Sequence, residues 1–171
     1  MIPDWALTAA YWLHMLATVV WIGGLVTLSL FVLPSARKVL APSEYALVLE
    51  RIQKRIDPAA WFSLVLLLGT GMIQMSSNPN YEGFLVVDNR WAVALLIKHI
   101  MFVGMAVISA YMTWWVLPGM RRIVLQQAKG KIDSQADDET VSLYKREVYL
   151  SRLNLILGVV ILALTAMART S

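Results

Sequence analysis

Four stretches of this chain run too long without a charged residue to belong to a water-exposed fold. Residues 5–33 carry no charge, and neither do residues 59–81. A third run covers 100–120, preceded by the apolar stretch 91–97 with only Lys98 and His99 between them. The fourth is 153–168, extended back to about residue 149 if Arg152 snorkels. A bilayer crossing needs about 20 apolar residues, so each run is long enough to be a transmembrane helix. The expected fold is all-α: an integral membrane bundle of four transmembrane helices, over about 5–33, 59–76, 91–117 and 148–168. These runs take up most of residues 1–171 and leave room for a single membrane domain.

The start of the chain, Met1-Ile2-Pro3-Asp4-Trp5, has no basic segment ahead of its apolar run, and that run is longer than a signal sequence requires. Pro3 and Asp4 read instead as a helix start, with a fixed φ and a carboxylate near the positive end of the dipole. The first helix is expected to be retained. The chain has no cysteine, so thiolate metal sites, disulfides and covalent c-type haem attachment are excluded. The net charge of +4 resides in the loops and calls for no nucleic-acid partner.

Basic residues are unevenly placed. The first connection carries Arg37, Lys38, Arg51, Lys54 and Arg55, and the third carries Arg121, Arg122, Lys129, Lys131, Lys145 and Arg146. The second has only Arg90 beside Glu82 and Asp88. The positive-inside rule places the first and third connections in the cytoplasm and both termini outside the cell (inner) membrane. Residues 43–56 read as an amphipathic helix, either lying along the interface or extending the second helix through a kink at Pro58. Residues 130–139 read as a mobile polar turn, and 76–80 as turn chemistry.

The chain's two histidines, His14 and His99, both lie within the apolar stretches. An ionisable side chain at membrane depth is costly and points to function. The topology runs the first and third helices in the same direction, and each starts at an interfacial tryptophan, Trp5 or Trp91. At 1.5 Å per residue the two imidazoles fall about 13 and 12 Å below the outer surface, nearly the same depth. His14 shares its helix face with Ala10, Ala17, Trp21 and Gly24. Around His99 stand Ala92, Leu95, Phe102, Val103, Ala106 and Ala110. Small residues beside each histidine leave room for a flat group, and bundle cores are established cofactor sites. The expected cofactor is haem b, with His14 and His99 as axial ligands and Ala17, Trp21 and Gly24 lining it. Lys98 is placed to pair with a propionate, and Arg90, Asn89 and Tyr81 are further candidates on that side. With both axial positions filled, one-electron transfer fits better than oxygen chemistry. The partners expected are the lipid bilayer together with other membrane redox subunits or quinone.

Copper is the alternative ligand, held by the histidines with Met15, Met101 and Met105. A structural role, in which the histidines only join helices, is also open, and so is the question of catalysis.

The segments Tyr11-Trp12-Leu13-His14 and Trp21-Ile22-Gly23-Gly24-Leu25, with Leu68-Gly69-Thr70-Gly71 and Leu96-Ile97-Lys98, resemble the pattern of the copper-resistance protein D (CopD) superfamily. The resemblance covers nearly the whole chain. It implies a four-helix membrane core and either copper import or haem b binding. Within that superfamily, Tyr11, His14, Trp21, Gly24 and Leu25 are similar to HemJ-type protoporphyrinogen oxidases, which implies porphyrin oxidation. The likeness stops at residues 27–31, Thr-Leu-Ser-Leu-Phe, where that group carries Leu-Pro-Arg-Leu-Phe.

Overall fold

The computed structural model describes residues 2–83, 86, 88–128 and 134–170. Its regular structure is helical, with no strand among those residues, and four helices are long and apolar enough to cross a membrane. Helix α1 spans Asp4–Val39 and α2 spans Pro42–Ser76. Helix α3 runs unbroken through Arg90–Tyr111, Met112–Val116 and Leu117–Ala128, and α4 spans Ser134–Thr170. Phe62, Val65 and Val19 are 68–70% exposed at the outer surface. In water that would be an extensive apolar patch; in lipid it is the expected outer face.

Each described helix start has a local cause. Pro3 precedes α1 in extended conformation, Asp4 occupies the first turn, and Thr8 hydroxyl bonds back to Asp4 O. At α2, Pro42 stands at the first helical position and Glu44 reaches back to accept from Ala41 N. Asn89 caps α3 by accepting from Ala92 N at 2.7 Å. The turn before it forms as its residue types predict: Asn78 Oδ1 accepts from Asn80 N, and Asn78 O from Tyr81 N.

The helices exceed the apolar runs, because hydropathy reports immersed length rather than helix length. The amphipathic stretch of the first connection is the start of α2, which passes through Pro58 without ending. It is held off the interface: Tyr45, Ala46 and Leu49 are buried with Leu33, Val116, Met120 and Val124 in one apolar cluster. The turn expected over 130–139 is corrected, since α4 already begins at Ser134 rather than near 148. Residues 129–133 lie outside the described part.

Helix α1 packs along α2, and α3 along α4. The two pairs join chiefly where α2 meets Leu117–Ala128 and where α1, with its π-helical stretch, meets α4. A second cluster, of Trp21, Leu64 and Met105, lies further along the bundle. The π-helical stretches are Thr27–Val32 in α1 and Met112–Val116 in α3. Each ends two residues before a proline, Pro34 or Pro118. A proline supplies no N–H to the preceding turn and crowds the carbonyl four residues back, and widening the helix relieves that clash.

Candidate functional site

His14 is half-buried on the face of α1 that meets α2, between the buried Ala10 and Ala17. Its Nδ1 lies 2.8 Å from Thr70 Oγ1. Thr70 Oγ1 also lies 2.5 Å from Leu66 O; with the hydroxyl proton assigned to that carbonyl, the Thr70 oxygen accepts and His14 Nδ1 carries the proton. Nε2 is then the nitrogen with a free lone pair. Gly71 lies against the ring, where a Cβ would stand in ordinary contact, 3.5 Å from His14 Cε1. One turn away, Gln74 Nε2 donates to Ala10 O and ties the same two helices.

On α3, His99 is also half-buried, and its Nδ1 lies 2.7 Å from Leu95 O. A carbonyl only accepts, so here too Nδ1 holds the proton and Nε2 presents the lone pair. Both imidazoles are thereby fixed in the tautomer that a metal ligand adopts, each oriented by an oxygen behind it. Lys98, next to His99 in the chain, comes close enough to His14 to act on it electrostatically. No packed interface of any extent joins α1 to Arg90–Tyr111.

The other expected residues are dispersed along the bundle. Ala17 is buried one turn from His14. Trp21 belongs to the cluster with Leu64 and Met105, and Gly24 lines an interior cavity further toward the basic end. Met105 is buried against Gly158, while Met15 is exposed to the lipid side. Among the described residues, no three His, Asp or Glu side chains gather into a cage.

Residue patterns alone had not singled out a polar cluster at the basic end. Glu147 of α4 is fully buried and forms an ion pair with Arg37 of α1. Tyr45 of α2 donates to the same carboxylate at 3.1 Å, and the Arg37 guanidinium lies over the Tyr45 ring. Two turns further on, Asn154 donates to Ser109 Oγ at 2.8 Å. The available signals were an asparagine inside the fourth apolar run and a carboxylate just ahead of it. The basic residues also meet at this end, where Glu50 binds both Lys54 and Arg121.

A family model described as copper resistance protein D matches residues 50–168. Lys98 and His99 lie within the matched part. His14, Ala17, Trp21 and Gly24 lie before it, as do all five residues that carry the likeness to HemJ-type proteins. No curated protein and no solved structure matches the chain significantly.

Proposed function

Since the chain belongs to the copper resistance protein D family, we propose that it is an integral membrane copper-handling protein that takes copper as its cargo on Nε2 of His14 and Nε2 of His99. The observation that carries this reading is the pair of oriented imidazoles. Thr70 stands behind one and Leu95 O behind the other, so neutral nitrogen donors are held ready inside a membrane bundle. Imidazole suits copper as a ligand. The basic connections lie on the cytoplasmic side and both termini outside, so the histidines sit in the outer half of an inner-membrane protein.

A second reading is favoured by the small buried residues beside the histidine turns, Ala10, Ala17 and Ala94, and by Lys98 close to His14. In it the same two nitrogens hold a haem b, Lys98 faces a propionate, and the protein passes electrons to a membrane redox partner or quinone.

One experiment separates the readings. The purified protein and its His14→Ala and His99→Ala variants are assayed for copper by competition with a copper(I) chelator, and for haem by oxidised and reduced absorption spectra. Copper retained by the parent alone, without a Soret band, is the expected result. A Soret band with sharp α and β bands in the parent, lost in both variants, establishes the haem. If neither group binds, the histidines serve helix contacts only.

A further inference from the structure

A cavity of about 90 Å³ lies within the bundle, toward the basic end from the histidines. Its polar lining comes from all four helices: Ser29 on α1, Gln53 and Asp57 on α2, Ser109 and Thr113 on α3, and Glu147, Ser151 and Asn154 on α4. Both π-helical stretches border it, through Ser29 on one side and Met112 and Thr113 on the other. Widened turns of this kind recur at functional sites.

Two buried oxygens are left over there. Asn154 is 1% exposed, yet its Oδ1 has no hydrogen-bond partner, and neither has Gln53 Oε1. Among the described residues these are the buried side-chain oxygens in that condition, and both belong to the lining of this cavity. A buried acceptor without a donor is costly, and two facing one space call for a positively charged or donating occupant. The charge balance is also specific. Glu147 is neutralised by Arg37, whereas Asp57 has no cationic side chain paired with it among the described residues and has only the Thr113 hydroxyl beside it. The lining therefore carries one carboxyl group with no cationic partner among the described residues, set among neutral amide and hydroxyl oxygens.

We infer that this cavity is a binding site for a monovalent hard cation, sodium or potassium, with Asp57 as its charged ligand and Gln53 and Asn154 as carbonyl ligands. Oxygen donors select hard cations, whereas copper(I) prefers sulfur and imidazole. A single free carboxylate matches a single positive charge. The volume accommodates one ion and about two waters, taking about 30 Å³ for each. Access is provided as well. Gln53, Asp57 and Thr113 also line an open groove of about 580 Å³ at the basic end, where Glu50, Lys54 and Arg121 stand. The three residues line both groove and cavity, so the Asp57 carboxylate stands between the open groove and the interior space. Pro58 follows directly in α2 and frees Lys54 O from its helical hydrogen bond, adding a backbone oxygen to the same turn. This site is separate from the histidines and does not rest on the copper reading.

Purified protein in nanodiscs is titrated with radioactive sodium in a choline background of constant ionic strength, with potassium and lithium as competitors. The variants are Asp57→Asn and, as a second probe that keeps the carboxylate, Gln53→Leu. The expected result is saturable binding in the parent, weakened about a hundredfold or more in Asp57→Asn, the scale of one lost unit charge in a partly buried site. Gln53→Leu should weaken it less, and copper binding should be unchanged in both. Displacement by potassium or by excess sodium supports the site and ranks the two ions. Absence of saturable binding in the parent, or binding equal in parent and Asp57→Asn, overturns it. A response to pH with none to the alkali ions also overturns it, since protons or water alone would then satisfy the two oxygens.

Discussion

Thr70 donates its hydroxyl proton to Leu66 O and receives the Nδ1–H of His14 on the same oxygen. Replacing it with valine keeps the shape and removes both bonds, so the imidazole is free to turn and to exchange tautomers. Outer hydrogen bonds of this kind are worth about 10–100-fold in metal affinity, and Thr70→Val should weaken copper binding by that factor. Chelator competition reads the affinity, and an unchanged elution profile shows that the bundle has survived. Unchanged affinity would mean that Thr70 is a helix contact and nothing more. Arg37 and Glu147 make the opposite case, in which the partners matter to the fold. Leaving either charge buried alone costs about 3–5 kcal/mol, while replacing both with apolar residues is often close to neutral. Arg37→Leu and Glu147→Leu should each destabilise strongly, and the double variant should recover most of the loss. Reversible denaturation in mild detergent measures all three.

Helix α3 is capped by a single side chain, and Asn89→Ala should lower stability by about 1 kcal/mol, measured by the same denaturation and localised by faster exchange of the amides at 90–93. The four spans were legible because lipid imposes a long, uncharged run, and no soluble element imitates one. The histidines were legible for the same reason, as rare ionisable groups within those runs. Their immediate partners were not, since Thr70 and Leu95 O are ordinary residues until the helices are placed side by side. The cavity was hidden by the same hydropathy that revealed the spans. Gln53 and Asp57 fell in what read as a connection, and Asn154 fell inside an apolar run. Pro34, Pro58 and Pro118 were visible, yet only the kink at Pro58 was anticipated. The π-helical turns before Pro34 and Pro118 depend on whether a helix widens or bends, which is settled by packing against α4 rather than by the proline itself.

Consecutive spanning helices joined by short connections must alternate in direction, and this is what brings the basic residues of the first and third connections to one end. The ion pairs there cross from helix to helix, Arg37 to Glu147 and Arg121 to Glu50, so the basic end ties the helices together. If that end faces the cytoplasm, the second connection faces outward, and so does the nearer approach to His14 and His99. The lack of native cysteine makes this directly measurable. A single cysteine placed at Ser77, in the exposed turn after α2, should react in intact cells with a thiol reagent that does not cross the membrane. One placed at Lys54, an exposed position at the basic end, should react only after the cells are opened. The reverse pattern would turn the molecule over. The cation cavity would then open outward and the histidines would face the cytoplasm, so the route proposed for copper would have to run the other way.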